Sequence, residues 1–529
     1  MHNQPLLTDY EAVPYPSFSY PQTHPDRLAT VATLHGLLPV AVERCRVLEI
    51  GCASGGNLIP MAAGLPGSHF VGIDLSARQI AAGQAMVAEL GLSNIELRPL
   101  NLLDITSELG RFDYVIAQGV YSWVPAPVRN QLLALCRDHL TPSGVAYISY
   151  NTYPGWHGRG AVRDMMCYHI RRLSDPKARV VQARELLSFL ARSVPVEGNA
   201  YGSLLREEEQ NLRDKWDAYL LHDELETVNE PVYFHQFVEH AERAGLRYLG
   251  EADPGSTTAT QLAPQAVEVL AKMGDDRVGR EQYLDFVTNR MFRQSLLCHR
   301  EVTPRPPHPE HLAPFRVASR ARCLSARPDL RTGKVEEFRG PSGPSVGTDH
   351  ALTKAAFLHL AEFWPLALPL ADLQAAARTR LAAEAVVVQE ETAYARDNHL
   401  LAENLLQAFL AGVLELHIHA PPLTLQPGRL PRAPEFARLQ ARAGNRVTNL
   451  RHEVVPLDDI SRHLLGLLDG SRDRETLVEA MRQWVGARGM VVQRHGRPVT
   501  DADQVRGALA EGLTAQLEAL ARAALLLAD

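Results

Sequence analysis

A glycine-rich turn flanked by two acidic residues is the stretch of this sequence whose residue types and spacing could bind a nucleotide. In the run VLEIGCASGGNL, Glu49 comes just before Gly51, and Asp74 ends the next apolar run. Arg46–Ile50 is predicted to be a short buried strand, and Leu58 begins a predicted covering helix. Such a turn lets a ligand approach the backbone, and an acid about 20 residues further on holds a ribose diol in nucleotide-binding α/β folds. The sequence therefore predicts a nucleotide-type cofactor, with Asp74 at its ribose.

The spacing of the glycines indicates which nucleotide binds. A dinucleotide fingerprint, G-x-G-x-x-G, needs a glycine where this chain has Ala53, so a pyrophosphate would meet a methyl group at its closest approach. The loop instead reads E-x-G-x-x-x-G, with Glu49, Gly51 and Gly55 at the fixed positions. This pattern resembles the first motif of the class I S-adenosylmethionine (SAM) methyltransferases, in which Asp74 would be the ribose acid.

Two aromatic clusters follow two further predicted strands. Their members are Tyr121, Ser122 and Trp123 after the fourth strand, and Tyr150, Asn151, Tyr153 and Trp156 at the end of the fifth. Methyl transfer from a sulfonium is a direct displacement that needs an aligned nucleophile and a dry site, and no metal. Aromatic faces attract a sulfonium or an ammonium, and the Asn151 amide and the tyrosine hydroxyls can orient an amine. The alternative interpretation is that these rings pack at the rim of the fold. After the fourth strand the chain reads QGVYSWV, without the Asn/Asp-Pro-Pro-aromatic run common in nucleic-acid amino methyltransferases, which disfavours that chemistry.

Alternating strands and helices must position these residues. The predicted elements are the strands Arg46–Ile50, His69–Ile73, Ile95–Leu100, Phe112–Ala117 and Val145–Tyr150, and the helices Ala77–Leu90 and Val128–His139. The alternation predicts an α/β fold whose parallel sheet is covered by helices and binds ligands at the carboxyl ends of its strands. A helical insertion is predicted at about 156–230, after which Phe234–Ala244, Leu246–Leu249 and Phe292–Leu297 resume the helix-and-strand pattern. The SAM-dependent methyltransferase domain is therefore expected at 46–300.

Proline-rich segments divide the rest of the chain. The proline- and aromatic-rich sequence of residues 1–45 predicts a lid over the cofactor or, alternatively, a simple strap on the core. This segment includes Tyr10 and Tyr15. The candidate polar contacts of this lid are Gln22, Thr23 and His24. Residues 301–315 predict a linker. Helices followed by strand pairs then predict a winged-helix-like regulatory domain at 316–420 and a second winged-helix-like domain at 421–529. Winged helices often bind DNA, but the net charge of −7 favours contact with protein.

Composition narrows the class of protein. Of the 529 residues, 46% are hydrophobic and 22% charged, which is ordinary for a globular chain. The excess of acidic over basic residues argues against broad electrostatic binding to nucleic acid. Six scattered cysteines, without a CxxC pair, predict a reduced, metal-free chain. The sequence has neither a recognisable signal peptide nor an apolar run long enough to span a bilayer, so a cytoplasmic location is expected.

Longer motifs carry a family resemblance. The chain resembles the bacterial class I methyltransferases with a methyltransferase-regulatory domain, among them the rickettsial protein-lysine methyltransferases, in the motifs YEAVPYPSFSYPQTHPDRLATVATLHG, VLEIGCASGGNLIPMA, FDYVIAQGVYSWVP, GVAYISYNTYPGWHGRG and NEPVYFHQFVEHAERAGLRYL. The resemblance implies a Rossmann-like core, S-adenosyl-L-methionine as methyl donor, and carboxy-terminal domains that help to bind a protein substrate. It also allows a homodimer.

The resemblance further implies the site residues by position. On the acceptor side, the implied catalytic residues are Tyr121, Trp123, Tyr150, Asn151, Tyr153 and Trp156. The implied cofactor-binding residues are Gln22, His24, Glu49, Gly51, Ala53, Gly55, Asn57, Asp74, Leu75, Asn101, Leu102 and Gln118. Asn101 stands where relatives have aspartate, so Asp104 remains a competing candidate for the contact with adenine.

The predicted function is SAM-dependent methylation of lysine side chains in a protein substrate by direct displacement. One alternative is a methyltransferase acting on a small molecule or a carboxylate. The other is a regulatory module that holds SAM without turning it over.

Overall fold

The computed structural model describes residues 13, 17–257, 262–273, 276–341, 343–384, 394–494, 497–499 and 501–528. Tyr10 and Tyr15 of the predicted lid lie outside the described residues. The chain divides into two compact units, which are described one at a time. The first contains Leu37–Leu58 and Gly67–Pro304, and the second contains Phe18–Gly36, Ile59–Pro66 and Arg305–Asp529.

A seven-stranded sheet with the order β3-β2-β1-β4-β5-β7-β6 forms the centre of the first unit. Its strands are β1 (Arg46–Ile50), β2 (His69–Asp74), β3 (Ile95–Pro99), β4 (Phe112–Ala117), β5 (Leu140–Asn151), β6 (Leu246–Glu251) and β7 (Phe292–His299). The first five strands run parallel, whereas β7 is antiparallel to both of its neighbours. This arrangement confirms the predicted Rossmann-like α/β sheet and adds a reversed strand that the sequence analysis did not predict.

Burial explains why these segments form strands. Every residue of β4 is buried, as expected for a central strand that helices cover on both faces. Helices α3 (Ala77–Glu89), α4 (Ala126–His139) and α9 (Phe234–Arg243) pack against the sheet. The other helices along this part of the chain are α2 (Leu58–Gly64), α10 (Pro264–Lys272) and α11 (Arg277–Thr288). One apolar core joins side chains of β4, β5, α4 and α9. The sheet is therefore a rigid base for the residues at its carboxyl edge.

The predicted helical insertion follows β5. It contains α5 (Trp156–Ile170), α6 (Pro176–Ser193), α7 (Ala200–Arg213) and α8 (Asp217–Tyr219), and a π-helical turn at Leu220–Glu224. These helices share an apolar core of their own, which includes Val162, Leu187 and Leu205. The insertion thus folds around its own core beside the end of β5.

The second unit is mainly helical, as predicted. Its elements in the first half are α1 (Pro25–Leu34), β8 (Arg316–Ala318), β9 (Arg322–Cys323), β10 (Glu336–Arg339), β11 (Ser345–Thr348), α12 (Ala351–Phe363), β12 (Leu368–Pro369), α13 (Leu370–Ala383), α14 (Tyr394–Leu410) and β13 (Glu415–His417). Those in the second half are α15 (Glu435–Ala443), β14 (Arg446–Thr448), β15 (Val454–Pro456), α16 (Asp459–Leu467), α17 (Arg474–Ala487), β16 (Gln493–Arg494), β17 (Arg497–Pro498) and α18 (Ala502–Arg522). The small β11-β10-β9 sheet had no counterpart in the sequence analysis.

Helix α1 packs with residues that follow it in sequence by several hundred positions. Asp26 accepts the backbone N–H groups of Ile418 and His419 and pairs with His417 at 2.7 Å. Burial alone would raise the pKa of Asp26, but His417 outweighs it and the pKa falls to about 2. Leu34 joins the apolar core formed by α12, α13 and α14. These contacts explain why Phe18–Gly36 belongs to the second unit and not to a separate amino-terminal segment.

Within the described part of the chain, no helix combines the length and the apolar character needed to cross a bilayer.

Candidate active site

The glycine turn between β1 and α2 is shaped for close approach to its backbone. Gly51 has a φ of +75°, and a Cβ atom there would lie 2.9 Å from Val120 Cγ2. Gly56 has no room for a side chain because a Cβ atom would lie 2.4 Å from the carbonyl oxygen of Ser17. Ala53 adopts the left-handed region, with a φ of 49°, which is uncommon for a residue with a side chain. Such backbone strain is typical of ligand-binding turns.

Asp74 ties this turn to the end of β2. Its Oδ2 accepts the N–H of Ala53 at 2.8 Å, and its Oδ1 accepts the N–H of Ser76 at 2.9 Å. Burial is the main cause of a raised pKa at Asp74, and these backbone donors oppose the shift. Each carboxylate oxygen keeps a second lone pair, so the side chain can still accept bonds from a diol. The structure thus brings together the glycine turn and the acid that the sequence analysis paired.

Glu49 presents an unpaired carboxylate oxygen beneath the same turn. Asn57 Nδ2 donates to Glu49 Oε1 at 2.7 Å, but Oε2 is buried and has no hydrogen-bond partner among the described residues. Burial raises the pKa of Glu49 to about 8; the Asn57 bond opposes this rise, and the Asp74 charge adds to it. A cation is the ligand that would relieve such a carboxylate.

These two carboxylates fit SAM. Its ammonium and sulfonium are cations that a carboxylate attracts, and its ribose diol can donate hydrogen bonds to Asp74. The same carboxylates fit a dinucleotide poorly, because the negative diphosphate would approach them. The residues that would hold SAM are therefore Glu49, the turn from Gly51 to Asn57, and Asp74.

The other cofactor candidates lie at several places. Leu75 is exposed after β2, and Leu102 is buried in the sheet's apolar core. Asn101 Oδ1 caps the 3-10 turn Leu102–Asp104 through the N–H of Leu103. The contact of Asn101 or Asp104 with adenine stays a prediction. Gln118 accepts the hydroxyl of Tyr147 at 2.5 Å.

The two candidates from the amino-terminal segment belong to the second unit. Gln22 lies in a 3-10 turn, Pro21–Thr23, and His24 caps α1 by accepting the N–H of Asp26. The His24 ring lies 5.3 Å from the ring of His452. Their contact with the cofactor stays a prediction.

The acceptor-side residues differ in exposure: Trp123 and Tyr153 are partly exposed, whereas Trp156 is buried, with 6% of its surface exposed. Trp123 and Trp156 meet edge to face, with ring centroids 6.5 Å apart. Tyr153 stacks on His157 at 4.1 Å, and His157 Nε2 lies 3.0 Å from the hydroxyl of Tyr233. Tyr233 and His157 were absent from the sequence-based site, although both lie within the motifs that carried the family resemblance.

Tyr121 and Tyr150 are buried, with 2% and 1% of their surfaces exposed. The Tyr121 hydroxyl hydrogen-bonds His240 Nδ1 at 2.7 Å, and burial raises its pKa to about 12. Tyr150 stacks on Phe237 at 4.0 Å, and its hydroxyl bonds Ser295 Oγ. Both rings belong to the apolar core of the sheet, and neither is open to a substrate in this structure.

Asn151 is the last residue of β5 and is 5% exposed. Its backbone N–H donates to Ser122 Oγ at 2.9 Å, and its side-chain Nδ2 donates to Asn229 Oδ1 at 2.9 Å. Sequence reasoning missed Asn229, because it lies far from Asn151 in sequence. The motif NEPVYF was the available signal.

The unpaired Glu49 predicts that SAM binding releases a proton. The carboxyl is largely protonated at pH 7 in the free protein, and a bound cation favours its ionised form. Affinity should therefore rise with pH up to about 8 and then level off. Calorimetry at pH 7 in buffers of different ionisation enthalpy measures the protons released. Glu49→Gln is the control, since it removes this proton and leaves those of SAM unchanged. Equal proton release by both proteins would contradict the prediction.

Three family models match the chain. They are described as a methyltransferase domain at residues 48–146, a predicted methyltransferase regulatory domain at 216–299, and a PKMT C-terminal winged helix domain at 430–525. The first covers the glycine turn and β1–β5, and the second covers the return to the sheet through α9, β6 and β7. The third confirms a winged helix in the second unit.

Known proteins are similar to all or to part of this chain. The structure of PKMT2 from Rickettsia typhi in complex with AdoHcy matches with a TM-score of 0.85 and 29% identity, over 97% of this chain and 100% of that one. The uncharacterized protein RP789 of Rickettsia prowazekii is 33% identical over 98% of this chain and 93% of its own length. A trans-aconitate 2-methyltransferase from Deinococcus radiodurans is 30% identical over 24% of this chain and 45% of its own length.

The matched domains, the cofactor geometry and the full-length relatives agree on one assignment. SAM is the cofactor, and the reaction is methyl transfer. The chain belongs to the bacterial class I SAM-dependent methyltransferases that carry a methyltransferase-regulatory domain and a carboxy-terminal winged helix.

Proposed function

We propose that this chain methylates the side-chain amino group of lysine in a protein substrate. The observation that carries the proposal is a neutral amide, Asn151, at the carboxyl end of β5. Its backbone N–H bonds Ser122, the residue before Trp123, and Trp123 in turn meets Trp156 edge to face. An amine can donate a hydrogen bond to the amide oxygen, and its charged form is attracted by the faces of Trp123 and Trp156. The kinship with PKMT2 supports the same acceptor class.

The charges beside this cluster favour an amine over a carboxylate. Arg129 forms an ion pair with Glu230, and Arg159 forms one with Glu224. Both guanidinium groups next to the aromatic residues are thus already neutralised. A carboxylate acceptor would need a cation to hold it, whereas an amine needs only the amide and the rings. The rival function, methylation of a carboxylate, rests on the partial similarity to trans-aconitate 2-methyltransferase.

Methyl transfer requires the chain to orient the lysine amine and to exclude water from the site. Bound SAM supplies a methyl group whose bond to sulfur breaks, with the electron pair returning to sulfur, as the amine lone pair bonds to carbon. The lysine ammonium must first release a proton to solvent, because the charged form has no lone pair. Asn151, Trp123, Tyr153 and Trp156 are the residues that we assign to the acceptor. Help from the second unit in binding the protein substrate, and a homodimer, belong to the same proposal.

The pH dependence of the reaction tests the acceptor class. A free lysine has a pKa of about 10.4, and both the bound sulfonium and burial among aromatic rings lower it. If chemistry limits the rate, single-turnover methyl transfer should rise about tenfold per pH unit below the bound pKa and level off above it. The measurement is transfer of labelled methyl from SAM into the proteins of a cell extract by the full chain, with identification of the modified atom.

Carboxylate methylation gives a different result. A carboxylate is ionised above about pH 5, so its profile would be flat from about pH 6 to about pH 9, and the ester product would be labile to base. That outcome would replace lysine by a carboxylate and leave the cofactor assignment intact. Absence of any transferred label would favour a module that binds SAM without turnover.

A further inference from the structure

Residues 229–232 cross the carboxyl ends of β4 and β5 like an added strand. The N–H of Glu230 donates to the carbonyl of Ser122 at 2.8 Å, and the N–H of Val232 donates to the carbonyl of Asn151 at 3.2 Å. The N–H of Tyr153 returns a bond to the carbonyl of Val232. The segment therefore runs directly past the residues assigned to the acceptor.

The backbone and the ion pair fix this segment without the side chain of Asn229. Glu230 pairs with Arg129, whose guanidinium lies 5.5 Å over the ring of Tyr121. Thr152 Oγ1 also donates to the carbonyl of Val232 at 2.7 Å. A substitution at position 229 should consequently leave the path of the chain in place.

Among the described residues, the side chain of Asn229 makes one hydrogen bond, which it accepts from Asn151 Nδ2 at 2.9 Å. One N–H of the Asn151 amide is thereby engaged, and the backbone N–H and carbonyl of Asn151 are bonded to Ser122 and Val232. Within the described part of the chain, no donor reaches Asn151 Oδ1. The side-chain oxygen of Asn151 is therefore available to accept a hydrogen bond.

We propose that Asn229 is a positioning residue for an amine acceptor. It holds the Asn151 amide in the orientation in which Oδ1 receives an N–H of the incoming lysine amine. This inference rests on the proposed lysine function. A neutral amine has two N–H bonds and one lone pair, so donating one N–H to a fixed oxygen limits the directions in which the lone pair can point. If the Asn151 amide were reversed, its NH2 group would face the amine, which would lose the acceptor for its N–H.

The same orientation selects among acceptors. A carboxylate has no hydrogen to donate and would meet the Asn151 oxygen as a like partial charge. The ammonium form of lysine also donates to this oxygen, and deprotonation to solvent leaves the neutral amine in the same place. The new nitrogen–carbon bond then forms as the carbon–sulfur bond breaks, and the methylated ammonium returns its proton to solvent.

Two variants of Asn229 separate positioning from structural support. Asn229→Leu keeps a similar volume but cannot accept a bond, so the Asn151 amide is released. We expect its single-turnover rate to fall about 10- to 100-fold, with SAM affinity within about twofold of the original. Asn229→Asp can only accept, so it keeps the orientation of Asn151. We expect it to retain most of the plateau rate and to shift the rising limb of the pH profile to higher pH, because its carboxylate favours the ammonium.

The matched control is Asn94→Leu. Asn94 Nδ2 donates to the carbonyl of Ser68 at 3.0 Å, and Asn94 directly precedes β3, at the amino end of the parallel strands and opposite the edge that carries the acceptor residues. Its substitution should leave the rate and the pH profile unchanged. All proteins are assayed as full chains with labelled SAM and a cell extract as acceptor.

The outcomes distinguish this inference from the proposed function. If the original chain labels lysine and Asn229→Leu is equally fast, the positioning role is wrong and lysine methylation stands. If Asn229→Asp is as slow as Asn229→Leu, orientation of the amide is not what position 229 contributes, and the inference also falls. Labelling of carboxyl groups, or no labelling by the original chain, overturns both.

Discussion

Replacing Arg293 by methionine should destabilise the first unit by about 3–5 kcal/mol, the range found when one partner of a buried ion pair is removed. Arg293 lies on β7 and is 1% exposed. Its guanidinium makes two bonds to Asp285, at 2.7 and 2.8 Å, and one to each of Glu251 and Glu281, at 3.0 Å. Methionine fills similar space but leaves three carboxyl groups without their shared cation, and the measurement is the midpoint of unfolding by denaturant.

The effect should depend on pH. Burial raises the pKa of Asp285, and Arg293 opposes that rise. Without the guanidinium the folded-state pKa would rise further. A raised pKa gives stability that is present at low pH and lost as pH rises through the folded-state value. The difference between Arg293→Met and the original protein should therefore be smaller at about pH 5 than at about pH 8.

Arg98→Met is the control for losing an arginine. Arg98 forms two bonds of 2.6 Å with Glu96, but the two side chains are 42% and 56% exposed. Its removal should change stability by no more than about 1 kcal/mol. Equal midpoints for the two variants would show that the buried network contributes no more than a surface pair.

The Arg293 network also shows where sequence reasoning ends. The strands β1–β5 and the turn at Gly51 could be predicted because their signals are local: apolar runs, glycines and an acid at a known distance. The partners of Arg293 come from β6 and α11, and no local pattern in the sequence indicates that these side chains meet. The reversed direction of β7 was likewise unpredictable, since an apolar strand reads the same in either direction.

Long-range contacts account for the other differences. Residues 1–45 were predicted to form a lid over the cofactor or a strap on the core. In the structure Asp26 of α1 pairs with His417, and Leu34 joins the core of the second unit. Tyr121 and Tyr150 were grouped with Trp123 and Tyr153 because they all follow strands. A position just after a strand predicts that a residue lies at the edge of the sheet, but not whether its side chain turns into the core. The hydroxyls of Tyr121 and Tyr150 are hydrogen-bonded to His240 and Ser295.

Replacing Asp74 by alanine should weaken SAM binding by about 2–4 kcal/mol, which is roughly 30- to 1,000-fold in Kd. The carboxylate already holds the glycine turn through Ala53 and the start of α3 through Ser76. Its remaining lone pairs are the expected acceptors for two ribose hydroxyls, and bonds to a charged acceptor are stronger than neutral ones. Alanine would remove these bonds and release the N–H of Ala53 as well. Calorimetric titration with SAM measures the change.

Asp113→Ala separates loss of the ribose contact from loss of a backbone support. Asp113 also accepts a backbone N–H, from Arg46 at 2.8 Å, and it holds Thr141 through its second oxygen. It lies near the amino end of β4, opposite the edge where ligands of parallel sheets bind. Asp113→Ala should therefore lower the unfolding midpoint without changing the Kd for SAM. If a folded Asp74→Ala protein binds SAM as tightly as Asp113→Ala does, the ribose is held elsewhere and the role assigned to the acid after β2 is wrong.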